Sequence, residues 1–156
     1  MTPKNLPPFA ILLLTACGAD LPENWDNAAP IDDFQQSDCA GDPDDELEEN
    51  EEDSANNLSM NIENGLLNID FNKAVFRCEQ EVEGFQKAEA NHISVLLQPK
   101  EMNPSMVAKC SCLYNFSLSF PVENSGGYTV DLYTRSDRYG GEAELQSIHT
   151  IEMDSE

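Results

Sequence analysis

The chain has 156 residues, 30 of them Asp or Glu against 8 Lys or Arg, for a formal net charge of −22. Phosphate recognition needs basic groups, so a balance of this sign and size excludes nucleic acid and argues against anionic membrane surfaces as partners. The length leaves room for one ordinary domain, and no internal repeat is visible.

In chain order the first element is an export signal. Lys4 is the only charge before Asp20, and Phe9 to Leu14 is continuously apolar, with small residues at its end. The run is far shorter than the roughly 20 residues needed to cross a bilayer. It closes on Leu14-Thr15-Ala16-Cys17. That tetrapeptide resembles the lipobox of bacterial lipoproteins: Leu at −3, small residues at −2 and −1, and Cys at +1. The resemblance implies a signal peptide over 1–16 and a diacylglyceryl group on the Cys17 sulfur. It also implies cleavage before Cys17 and acylation of the new amine. One chain holds a protein to a bilayer only marginally, whereas two or three anchor it stably. Gly18 stands where Asp would mark retention in the inner membrane, so the resemblance implies the outer-membrane class. The covalent lipid on Cys17 is the one cofactor expected, and the membrane the first partner.

From Gly18 to Asn56 there are fifteen acidic and no basic residues. Pro22, Pro30 and Pro43 interrupt this stretch, and Trp25, Ile31, Phe34 and Leu47 stand isolated in it. Low hydrophobicity with high net charge cannot offset chain entropy, so 17–56 is expected to be a lipidated Cys followed by a disordered acidic tether. As a flexible coil it would span about 35 Å. Asp38, Asp42, Asp44, Asp45 and Glu46 lack the ligand spacing, the Gly at six and the Glu at twelve of a calcium loop. A diffuse cation atmosphere is expected there instead.

Residues 57–156 carry fifteen acidic and seven basic residues and have a β texture. Cys112, Tyr114, Phe116, Leu118 and Phe120 alternate with Leu113, Asn115, Ser117 and Ser119, the mark of a strand with one buried face. Pro121 and the 123–127 run Glu-Asn-Ser-Gly-Gly end it, and Tyr128, Val130 and Leu132 begin another alternation. Ile93, Val95 and Leu97 alternate too, as do Leu67, Ile69 and Phe71, with shorter β-like runs at 74–78 and 143–151. A helix over 79–90 is weakened by Gly84 and by the lack of an apolar stripe. Six or seven short strands predict an all-β domain, a small antiparallel sandwich. The segment from Gly126 to Tyr133 resembles the penultimate strand of immunoglobulin-like sandwiches, where a Tyr often pins a corner.

With Cys17 lipidated, Cys39, Cys78, Cys110 and Cys112 remain, and an oxidising compartment turns an even number into two disulfides. Cys110 and Cys112 lie two apart on a strand, with parallel side chains near the outer limit for bridging. Each is therefore expected to pair elsewhere: Cys78 with Cys112, the better candidate, or with Cys110, and the remaining one with Cys39. The sharper alternative uses Cys78, Cys110 and Cys112 with His92 or His149 as a metal or thiol-redox site. The stretch Ala108 to Phe116, followed by Gly127-Tyr128-Thr129-Val130, also resembles a group of small bacterial lipoproteins with a C-x-C-x-[YF]-[DN] strand, a turn and a G-x-Y-T-V strand. That resemblance implies structure and no activity.

Motifs for catalysis are missing: there is no G-x-S-x-G, H-E-x-x-H, S-x-x-K or Gly-rich phosphate loop. Glu89 and His92 form a single E-x-x-H, and both histidines read as strand residues. Arg135, Arg138 and Tyr139 fall where a loop would join the last two strands, a candidate contact for an envelope protein or a glycan. The expectation is a non-enzymatic binding or structural domain on an envelope lipid anchor.

Overall fold

The computed structural model describes residues 20–43, 57–102, 110–122, 127–136 and 144–153. The described residues form nine strands: β1 (Ala29–Pro30), β2 (Asp33–Gln36), β3 (Leu58–Glu63), β4 (Leu66–Arg77), β5 (Val82–Glu89), β6 (His92–Pro99), β7 (Ser111–Pro121), β8 (Tyr128–Ser136) and β9 (Glu144–Met153). They make two sheets, ordered β1-β5-β6-β8-β9 and β2-β7-β4-β3. The all-β sandwich expected from the alternations is what the chain forms. One pair departs from an antiparallel layout: β6 and β8 run parallel, because the chain crosses to the other sheet as β7 between them.

The core follows the period-two pattern. Cys112, Tyr114, Phe116, Leu118 and Phe120 from β7 face Ile93, Val95, Leu97, Val130 and Leu132 from the other sheet, all buried. Phe76 meets Phe116 edge-on with ring centroids 5.6 Å apart. The two runs read separately at 67–71 and 74–78 are one strand. A register shift between Phe71 and Ala74 and a positive φ of 58° at Lys73 absorb the phase change, as a β-bulge does.

Two expectations need correction. The tether is the larger. Residues 20–43 are built into the domain, with Trp25 only 3% and Ile31 only 6% exposed. A 3-10 turn at Glu23–Trp25 lies on the outer face of the five-stranded sheet, where Trp25 meets Tyr133 edge-on at 5.7 Å. β1 then pairs with β5, and Ile31 N–H donates to Gly84 O at 2.9 Å. The chain next changes sheets, and β2 pairs with β7. The compositional argument fails here because the acidic side chains of Asp26, Asp32 and Asp33 stay exposed while a few apolar ones carry the burial. The second correction is local: β5 occupies the span weighed for a helix. β3, with Leu58, Met60 and Ile62 packed against the core, is a strand that the alternations did not single out.

Gly84 explains how β2 closes one flank of the sandwich. A Cβ there would stand 2.9 Å from Phe34 Cδ2 and 3.4 Å from Ile31 Cδ1. Its bare backbone is the gap through which the crossing chain seats Phe34, which stacks on Phe116 at 5.6 Å. Gly84→Val is expected to displace Phe34 and cost about 1–3 kcal/mol, read as a lower urea midpoint with an unchanged slope.

Candidate functional site

The sandwich has two ends. One carries the 78–81 turn, the end of β6, the start of β7 and the end of β8, and both disulfides stand on or beside it. The pairings are Cys78–Cys110 and Cys39–Cys112, each with Cα atoms 5.7 Å apart. This corrects the preference for Cys78–Cys112. Phe76 opposes Cys112 and Arg77 opposes Ser111, so the register makes Cys78 the cross-strand neighbour of Cys110. Cys78 N–H accordingly donates to Cys110 O at 3.4 Å. Cys112 points into the core and is reached by the segment after β2, which keeps pairing with β7 through Ala40 N–H to Leu113 O and Leu113 N–H to Gly41 O, both 2.9 Å. Gln36 clamps the turn between the sheets: its Nε2 donates to Gln80 O at 2.8 Å, and its Oε1 accepts from Val82 N–H at 2.9 Å. The thiols considered for metal or redox chemistry are thus taken up in pairs. Among the described residues no group of three or more His, Cys, Asp or Glu is placed to hold a metal ion.

Arg135 is not at a loop tip. It lies in β8 opposite Leu145, and its Nη1 donates to Asp20 O at 2.6 Å and to Gln98 Oε1 at 3.3 Å. Gln98 is fully buried under the N-terminal segment, and its Nε2 donates to Glu83 Oε1 at 3.2 Å. Arg135 therefore fastens Asp20 to the sheet. Arg138 and Tyr139, its proposed companions, lie outside the described residues, as does Cys17.

On the outer face of the five-stranded sheet, Asp131 collects three partners, two from neighbouring strands and one from its own. His92 Nε2 lies 2.8 Å from Asp131 Oδ2, the Tyr133 hydroxyl donates to the same oxygen at 3.3 Å, and the Thr150 hydroxyl donates to Oδ1. The Asp131 side chain is 14% exposed. The Thr150 hydrogen bond is the main cause holding this carboxyl below the ordinary carboxylate range; partial burial opposes it, and His92 and Tyr133 reinforce it. Both hydroxyls donate to the carboxylate and not to the imidazole, so no hydroxyl is poised against His92 as a nucleophile against a base. The cluster ties β6, β8 and β9 together.

Because the folded carboxyl titrates lower than the unfolded one, its stabilisation is fully present above the ordinary Asp range. It disappears as pH falls from that range through the lower folded value. Asp131→Asn is expected to flatten this part of the acid-unfolding curve below about pH 4, measured by circular dichroism against pH. An unchanged curve would remove Asp131 from the account of acid stability.

Two surface hollows lie away from the disulfides. A polar cleft of about 460 Å³ lies between the 3-10 turn and β5, lined by Glu23, Asn24, Asp26, Asn27, Lys87 and Glu89. Its cation is engaged, with Lys87 Nζ 3.4 Å from Glu89 and donating to Asn24 O at 3.3 Å. At the end opposite the disulfides, a groove of about 330 Å³ opens between the sheets, with Ile93, Phe120, Pro121, Val122 and Tyr128 among its walls. Neither hollow was foreseen, because each is made by residues far apart in sequence.

The fold and its bridges define a disulfide-stapled β-sandwich with a structural polar face. No protein-family model matches this chain, and no curated protein or solved structure is significantly similar to it.

Proposed function

We propose that the protein is a bacterial envelope lipoprotein, anchored through acyl chains on Cys17 and carrying a non-enzymatic binding or structural β-sandwich. The observation that carries this reading is the Leu14-Thr15-Ala16-Cys17 sequence at the end of a short apolar run. The paired cysteines agree with it, since stable disulfides belong to exported chains. Those pairs also weigh against the thiol-redox or metal reading of the C-x-C strand, because Cys112 is wholly buried and each cysteine already has a partner. An outer-membrane address follows from Gly18 on the same reading. The groove at the end away from the disulfides, walled by Ile93, Phe120, Val122 and Tyr128, is a recess for a protein or glycan partner.

Cys17→Ser tests the anchor without touching the domain. The wild-type chain is expected in the membrane fraction and the variant outside it or unprocessed. Equal membrane association of the two would overturn the reading.

A further inference from the structure

Residues 20–43 bear on how this domain sits at a membrane. Were residues 18–56 a free coil, the domain would hang about 35 Å from its anchor. The fold removes that distance. Asp20 is already fixed, its carbonyl held by Arg135, and the acidic stretch at 44–53 falls between β2 and β3, where it separates two strands of one domain. Two residues, Gly18 and Ala19, stand between Cys17 and Asp20. Three residue steps cover at most about 11 Å however they are arranged.

We propose that the domain is held directly against the bilayer surface, with its disulfide end toward the lipid headgroups. This rests on the reading of Cys17 as the lipidated residue. The orientation follows from where Asp20 is fastened. Arg135 is the last residue but one of β8, Gln98 the last but one of β6, and Leu145 stands opposite Arg135 at the start of β9. All three belong to the end of the sandwich that carries Cys78 and Cys110. The opposite end, with the β3–β4 turn at Asn64-Gly65 and the apolar groove, lies one strand length away. For the eleven residues of β7 that is about 35 Å.

The contact is enforced by covalent proximity and not by charge. Among the described residues the membrane-facing end carries Arg77 and Lys100, but Lys100 is paired with Glu81 at 2.9 Å, and Glu79 and Glu101 are exposed beside them. A short tether alone sets a high effective concentration of this surface at the headgroups. The favoured surface is therefore zwitterionic lipid, and the groove of Ile93, Phe120, Val122 and Tyr128 is presented away from it, toward a partner.

Among the described residues two exposed large apolar side chains mark the two ends: Leu145 at 36% exposure near Arg135, and Leu66 at 41% at the far turn. Hydroxyl-radical footprinting of the full lipidated protein on phosphatidylcholine–phosphatidylethanolamine vesicles reads both at once. Leu145 oxidation is expected to fall several-fold relative to the unlipidated Cys17→Ser protein, with Leu66 unchanged. Inserting about twenty Gly and Ser residues between Cys17 and Gly18, a coil of about 25 Å, is expected to restore Leu145 oxidation. Equal oxidation of Leu145 and Leu66 on protein that floats with the vesicles would overturn the orientation and leave the anchor standing. Protein that fails to float would overturn both.

Discussion

Trp25→Ala is expected to destabilise the domain by about 3–5 kcal/mol, the usual cost of emptying a buried aromatic site. For a domain whose total stability is of the order of 5–15 kcal/mol, that is a large share. The reason lies in what Trp25 covers. It is the single tryptophan of the chain and sits on Tyr133, on the same outer face as Leu96 and Gln98, both fully buried. Without the indole, the 3-10 turn loses its apolar contact, Asp20 loses its seat, and Gln98 and Arg135 become open to water. Chemical denaturation monitored by far-ultraviolet circular dichroism measures the effect, since tryptophan emission is lost with the residue. A free tether would give a change near zero for the same substitution, so a ΔΔG below about 0.5 kcal/mol, the usual range for surface positions, would contradict the placement of residues 20–28.

Removing the Cys39–Cys112 bridge by the paired change Cys39→Ser and Cys112→Ala is the second large effect. The two cysteines are 73 residues apart in sequence. Loop-closure entropy alone assigns such a cross-link about 4 kcal/mol. The Cys78–Cys110 bridge closes 32 residues and joins strands already hydrogen-bonded to one another. Cys39–Cys112 does more structural work, because it fixes the segment after β2 to the core through a wholly buried sulfur. The expected fall in melting temperature is roughly 10–25 °C, taking about 3–6 °C per kcal/mol for a domain of this size. The corresponding change at Cys78 and Cys110 is expected to cost less. The reverse order, measured by thermal unfolding of both variants, would show that the N-terminal segment is held by its other contacts alone.

The parts of this fold that could be read from sequence are those where burial repeats along one strand. Cys112 to Phe120 shows its inner face residue by residue, and so do Tyr128 to Leu132 and Ile93 to Leu97. The parts that could not be read are held by contacts between distant elements. Trp25 packs on the outer face while Ile31 and Phe34 join the core between the sheets, so no period joins them, and their acidic neighbours hide them from any average over a window. β5 has Gly84 where an inward apolar side chain would stand, because Phe34 fills that space from β2. β3 does alternate, with Leu58, Met60 and Ile62 inward, but it follows directly on the most acidic stretch. The disulfide pairing depends on the β4–β7 register, which cysteine spacing does not encode. Arg135 read as a loop residue because the strand it ends runs longer than its apolar alternation.

The candidate site divides in the same way. Cys17 rests on a local pattern, and its role can be proposed from four consecutive residues. The polar group around Asp131 and the groove at the far end are tertiary, built from β6, β7, β8 and β9 together, and nothing in any one of those strands announces them.

Intact-mass spectrometry of the mature protein extracted from membranes, with and without reductant, tests the account most directly. The expected species begins at Cys17, carries two or three acyl chains, and gains the mass of four hydrogens on reduction, for the bridges Cys39–Cys112 and Cys78–Cys110. A chain with an unmodified Cys17, or one whose mass does not change on reduction, would contradict it.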